Sequence, residues 1–77
     1  MQAAQILRER DAERFQSFDL LLGSGASLSV PHPDHLHQVG LKRPSETLVH
    51  INHATGAVTL VDCAAVERLR FQVKVAA

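Results

Sequence analysis

The sequence has no tryptophan, no tyrosine and only three phenylalanines in 77 residues. Domains that bind single-stranded RNA commonly stack bases on aromatic side chains, and this chain offers few of them. Cysteine is equally scarce, because Cys63 stands alone and cannot form an internal disulfide. Small secreted domains commonly rely on disulfides, so the cysteine count favours a reducing, cytoplasmic compartment.

Net charge and long apolar runs are also missing. Eight Lys and Arg residues balance eight Asp and Glu residues, giving a formal net charge of zero at pH 7. No overall field therefore draws the chain toward nucleic acid or anionic lipid. The leucine run 20–22 is far shorter than the ~20 residues that a membrane-spanning helix needs. We expect a soluble protein that does not bind membranes.

The length of the chain predicts a single domain over residues 1–77 with one modest core. Strong helix formers fill residues 1–13, and side chains at three-and-four spacing predict an amphipathic N-terminal helix there. That stripe consists of Ala3, Ile6, Leu7 and Arg10. From residue 15 to residue 75 the period changes from 3.6 to 2, which predicts a β-barrel-like sheet.

Five strands are predicted in this second part, at residues 18–22, 28–30, 47–52, 58–63 and 69–75. Gly23 to Ala26 supplies a tight hairpin turn, and Gly56 a left-handed turn position. Asp62 can cap a single 3₁₀ turn before the last strand. The pattern predicts a mainly β (α+β) fold, in which the N-terminal helix precedes a small, strongly bent antiparallel sheet or a partly open SH3-like or Sm-like barrel.

The segment from Arg14 to Leu36 resembles a family of small uncharacterised bacterial proteins. Their pattern is Phe-x-Pro-Phe, an alternating strand, a glycine turn, then Val-x-His-Pro and a hydrophobic residue. The matching residues here are Phe15, Phe18, Gly25, Val30, His32, Pro33 and Leu36. Ser17 stands where that family usually has proline, and the turn differs from the family's Asp-Gly-Arg. The resemblance implies a mostly β fold with an N-terminal helix and no established activity, so it supplies no catalytic residue.

Histidines cluster in the stretch VPHPDHLHQVG, where the candidate metal ligands are His32, His35 and His37, with His50 as a further one. His53 could also supply a nitrogen, and three imidazoles on a fixed frame are enough for zinc. The chain has no His-x-x-x-His or Cys-x-x-Cys pair, and two prolines stiffen the turn before a ligand could organise it. We therefore expect no metal and no cofactor. A histidine pH sensor is the alternative, because imidazole changes charge near physiological pH.

Catalytic motifs are missing. Cys63, Ser24 and Ser29 are conceivable nucleophiles for a small hydrolase, but no Gly-x-Ser-x-Gly elbow is present. A Sm-like RNA-binding protein is a further alternative, with Arg68, Arg70 and Lys74 along one face of the last strand. The sequence predicts no catalytic residue and no enzyme.

The leading hypothesis is a non-enzymatic interaction module that self-associates or docks on another protein. In the alternating pattern of the predicted strands, three apolar residues fall on the face opposite the core, namely Leu21, Leu48 and Val61. We expect them to expose apolar surface. An unpaired sheet edge adds free backbone donors and acceptors. The predicted interface therefore consists of Leu21, Leu48, Val61, Arg68, Arg70 and Lys74. A two-fold homodimer is favoured over a ring, because a ring needs a head-to-tail contact that also closes.

Overall fold

The computed structural model describes residues 1–39 and 46–72. Lys74, one of the predicted interface residues, and the end of the predicted fifth strand at residues 73–75 lie outside these ranges. Most of the polar loop predicted after residue 40 lies outside them as well.

Helix α1 spans Ala3–Arg10 and buries Ala3, Ile6 and Leu7. At its start, the backbone N–H of Gln2 donates to the side-chain oxygen of Gln5 at 3.0 Å. At its end, Arg10 forms two hydrogen bonds with Asp11 and donates a third to the carbonyl of Leu36 at 3.2 Å. The helix therefore ends three residues before the predicted limit at residue 13, although its buried face is the predicted one.

Six antiparallel strands follow in the described residues, not five, and they form two three-stranded sheets. They are β1 Phe18–Leu22, β2 Ser27–Val30, β3 Leu36–Gln38, β4 Thr47–Ile51, β5 Val58–Asp62 and β6 Val66–Phe71. Sheet A has the order β2-β1-β6 and sheet B the order β3-β4-β5, and in the described ranges they do not close into a barrel. The fold is mainly β with one N-terminal helix, while the SH3-like or Sm-like class stays a prediction.

Strand β3 is the additional strand that the sequence pattern does not predict. It has three residues, of which Leu36 pairs with His50 and Gln38 with Leu48. Three residues are too few to show a period of two, so its pairing with β4 could not be seen in the sequence.

The predicted turns are confirmed. Gly25 and Gly56 have φ of 91° and 78°, values that residues with a side chain rarely adopt. Pro33 opens a 3₁₀ turn, Pro33–His35, as its fixed φ favours. The carboxylate of Asp62 accepts from the N–H of Ala64 at 3.0 Å and so caps the second 3₁₀ turn.

The core lies between the two sheets and α1. Phe18, Leu20 and Val30 come from sheet A, and Leu36, Leu48 and Val61 from sheet B. The expectation that Leu48 and Val61 expose apolar surface is wrong, because their side chains are 0% and 3% exposed. They pair directly with each other across β4 and β5 on the inner face. Leu21, the third residue of that set, is half-buried on β1.

No helix in the described ranges is long and apolar enough to cross a membrane.

Candidate functional site

Three of the other four histidines lie around the buried ring of His35. The ring of His53, in the turn after β4, is 4.3 Å from that of His35 between centroids. His32 and His50 lie at 5.9 and 6.4 Å from the same ring. His53 comes from a different turn than the VPHPDH stretch, so the fold supplies a neighbour that local spacing does not.

Backbone carbonyls fix two of these rings. Nε2 of His50 donates to the carbonyl of Ser29 at 2.7 Å, and Nε2 of His53 donates to the carbonyl of Asp34 at 3.3 Å. In each neutral ring, a proton on Nε2 leaves the lone pair on Nδ1. The rings are therefore held in one tautomer by the chain itself.

His35 differs, because its Nδ1 is buried and has no hydrogen-bond partner among the described residues. The nearest oxygen of Asp34 is 3.4 Å away, longer than a usual hydrogen bond. One ligand atom each from Asp34, His35 and His53 lies within 4.8 Å of the others. His35 and His50 also line an open groove of about 430 Å³ beside β2, so solvent reaches the edge of the cluster.

The predicted ligands are thus only partly brought together. His35 lies at the centre of the cluster, His50 forms one wall, and His32 lies at its exposed edge. His37 is exposed on β3 opposite Val49, on the outer face of sheet B. Asp34 is not among the ligands predicted from the sequence, because its place beside the histidines depends on the 3₁₀ turn that begins at Pro33.

A second feature is an exposed apolar surface on the outer face of sheet B. Val49 pairs with Leu60, and Ile51 pairs with Val58, so the four side chains form adjacent cross-strand pairs. Val58 is 62% exposed and Leu60 69% exposed, while Val49 and Ile51 are half-buried. We call these four residues the β4–β5 face. Apolar side chains of this exposure in a contiguous group commonly mark a binding surface.

The basic residues of the last strand do not form a free cationic stripe. Arg70 donates to Asp19 at 2.7 and 3.2 Å from the neighbouring strand β1, and Gln72 donates to the same carboxylate at 3.3 Å. The positive charge of Arg70 is therefore neutralised by the carboxylate of Asp19. Arg68 is exposed. Of the aromatic residues, Phe18 is fully buried and packs against Phe71 with 5.8 Å between ring centroids. Neither observation favours binding of RNA.

Cys63 is fully buried at the start of the second 3₁₀ turn. Burial, helped by the nearby carboxylate of Glu46, raises the pKa of its thiol above the ordinary value of 9.0. A nucleophilic cysteine needs the opposite shift and an accessible sulfur. Ser24, another conceivable nucleophile, accepts from the N–H of Ala26 at 3.3 Å within the first hairpin turn.

Comparison with protein-family models, curated proteins and solved structures found no match for the chain. The resemblance to the small bacterial family therefore stays a prediction.

Proposed function

We propose that the protein is a non-enzymatic interaction module that self-associates through the β4–β5 face and the free edge of β5. The supporting observation is the direction of the side chains in sheet B. The outer face of β4 and β5 holds the apolar side chains of Val49, Ile51, Val58 and Leu60 beside the polar end pair of Thr47 and Asp62, whereas the inner face holds Leu48, His50, Thr59 and Val61. Pairing of two β5 edges would place two such apolar faces side by side, so that Val58 and Leu60 of each copy lose part of their exposure against the other copy.

The edge of β5 adds a directional element. Strand β5 pairs with β4 on one side, and in the described part of the chain no strand pairs with it on the other. Unpaired backbone N–H and C=O groups on such an edge accept an additional strand. The interface therefore combines an apolar face with a row of hydrogen-bonding groups beside it.

A second copy of the chain fits this surface. With a two-fold axis near Thr59, antiparallel pairing of the two β5 strands places Val58 of one copy opposite Leu60 of the other, on the same face. Asp62, the acidic residue of β5, then lies opposite the glycine turn of the second copy instead of opposite another acid. The formal net charge of zero adds no repulsion between the copies.

This proposal keeps the dimer predicted from the sequence but moves its interface. Leu48 and Val61 belong to the core, and Arg70 is occupied by Asp19, so they are not its contact residues. Leu21 and Arg68 lie on sheet A. We place the module in the cytoplasm, which accords with a single cysteine that is buried as a free thiol.

The test is the mass of the protein in solution, measured by light scattering across a range of micromolar concentrations, together with hydrogen exchange. We expect the mass of two chains at high concentration and a melting temperature that rises with concentration. Amide protection that grows with concentration should appear in residues 58–62. A single-chain mass throughout, or protection that grows in β2 and β6 but not in β5, would contradict the proposal.

A further inference from the structure

We propose that Asp34, His35 and His53 bind a divalent first-row transition metal ion of the zinc class. The proposal does not depend on self-association, because these residues lie in the two turns around the histidine cluster and not on the β4–β5 face. They are grouped in space although 17 residues of sequence lie between His35 and His53.

The spacing of the donor atoms suits such an ion. In a tetrahedral site with bonds of about 2.0–2.1 Å to nitrogen and oxygen, neighbouring ligand atoms are about 3.3–3.4 Å apart. Nδ1 of His35 and the nearest carboxylate oxygen of Asp34 are 3.4 Å apart. All three ligand atoms lie within 4.8 Å of one another, so small side-chain shifts are enough to bring them to that spacing.

His35 provides the independent argument. The residue is only 9% exposed, and its Nδ1 has no hydrogen-bond partner in the described part of the chain. A buried polar nitrogen without a partner is destabilising, and native proteins seldom retain one without a reason. A metal ion bound to this nitrogen removes the deficit, and the adjacent carboxylate supplies a compensating negative charge.

A backbone hydrogen bond also holds the ring of His53, in the way in which metal-bound histidines are usually held. Nε2 of His53 donates to the backbone carbonyl of Asp34, which leaves Nδ1 of that ring with the lone pair. Metal-bound histidines commonly donate their other ring N–H to a carbonyl or carboxylate in this way. The contact also ties the turn that carries His53 to the turn that carries the other two ligands.

Two imidazoles and one carboxylate select the class of ion. Calcium and magnesium prefer oxygen ligands, whereas imidazole nitrogen suits zinc, cobalt, nickel and copper. Three protein ligands leave the fourth tetrahedral position to water or to a small ligand. The expectation of no metal relies on the missing His-x-x-x-His and Cys-x-x-Cys pairs and on the two prolines. The fold answers the first of these objections, because it brings His53, a candidate nitrogen from the turn after β4, to the ring of His35.

The experiment uses the full chain with Zn²⁺ in titration calorimetry and with Co²⁺ as a spectroscopic probe. We expect one ion per chain and a visible Co²⁺ spectrum of tetrahedral type. His53→Ala and Asp34→Asn should each weaken Zn²⁺ binding at least about tenfold, since even loss of a residue that only orients a ligand has an effect of that size. The side chain of Asp34 is exposed, so Asp34→Asn should keep the wild-type circular dichroism and melting temperature without metal. His53→Ala also removes the contact with the carbonyl of Asp34, so it should keep the circular dichroism spectrum and lower the melting temperature slightly.

The matched control is His37→Ala, which removes an exposed histidine from the same segment but from the outer face of sheet B. It should leave the affinity and the Co²⁺ spectrum unchanged. Absence of Zn²⁺ binding at millimolar concentration would overturn the proposal. Binding that His53→Ala leaves intact, or that His37→Ala weakens equally, would also overturn it, because the ion would then bind surface imidazoles without a defined site.

Discussion

Replacing Leu60 by alanine separates association from folding, because this side chain is largely exposed in the single chain. Leu60 is the most exposed large apolar residue in the described ranges and lies on the edge strand β5. If the β4–β5 face binds a second copy, the substitution should weaken the dimer. It should leave the stability of the isolated chain within about 0.5 kcal/mol of wild type, because an exposed side chain contributes little to the core.

The expected magnitude follows from the exposed fraction. Leucine to alanine removes about three carbon groups, each contributing roughly 0.8 kcal/mol when fully buried. Since 69% of Leu60 is exposed in one chain and edge pairing covers roughly half of that area against Val58 of the second copy, its contribution to the interface is about 0.8 kcal/mol per copy. A two-fold dimer contains the residue twice, so the loss is about 1.6 kcal/mol, or roughly fifteenfold in Kd.

Sedimentation equilibrium gives the dimer Kd, and urea unfolding at low concentration gives the stability of the single chain. Leu48→Ala is the matched core control, because this leucine is fully buried on the adjacent strand. It should lower the free energy of unfolding by about 2–5 kcal/mol. Leu21→Ala, on sheet A, should not change the Kd. An unchanged Kd for Leu60→Ala, or a loss of stability as large as that of Leu48→Ala, would refute the reasoning.

Three further predictions concern stability. Burial raises the pKa of the Cys63 thiol, so this thiol loses its proton at lower pH in the unfolded chain than in the folded one. The free energy of unfolding should therefore fall as the pH rises above about 9, and it should fall less in Cys63→Ala. A pH series of urea midpoints measures this difference. Replacing Pro33 by alanine should cost on the order of 1 kcal/mol through added freedom of the unfolded chain, and an unchanged urea midpoint would contradict it. Arg70→Ala leaves the nearly buried carboxylate of Asp19 with a weaker partner and should cost about 1 kcal/mol, whereas Arg68→Ala should be neutral in the same thermal scans.

The features that the sequence predicted correctly are those decided by a few neighbouring residues. Gly25 and Gly56 take the left-handed conformation that glycine tolerates best, and Pro33 opens a turn that suits its ring. The cap at Asp62 depends on an oxygen two residues from the N–H it binds. The helix was also predictable, except for its C-terminal end. At that end, Arg10 forms hydrogen bonds with Asp11.

The features that could not be predicted depend on contacts between distant segments. In the segment 47–51 both faces carry apolar residues, so alternation alone cannot tell which one lies inside. The apolar content favoured burial of Val49 and Ile51, and the fold instead buries Leu48 and His50. Asp34 offered no signal in the sequence, because one of its two neighbours in the cluster, His53, comes from another turn.

One choice of strand parity therefore underlies both proposed sites. Facing His50 inward allows its ring to donate to the carbonyl of Ser29 on sheet A and places it beside His35. The same parity sends Val58 and Leu60 outward, because β5 pairs with β4 in a fixed register. A shift of one residue in both strands would bury Val58 and Leu60, but it would also expose Leu48 and Val61 and turn Asp62 inward, so composition alone does not choose between the two arrangements. Contacts between the two sheets decide the parity, and the hydrogen bond from His50 to Ser29 is one of them. The same contacts create the histidine cluster and the β4–β5 face, which is the reason to test for function at these two places.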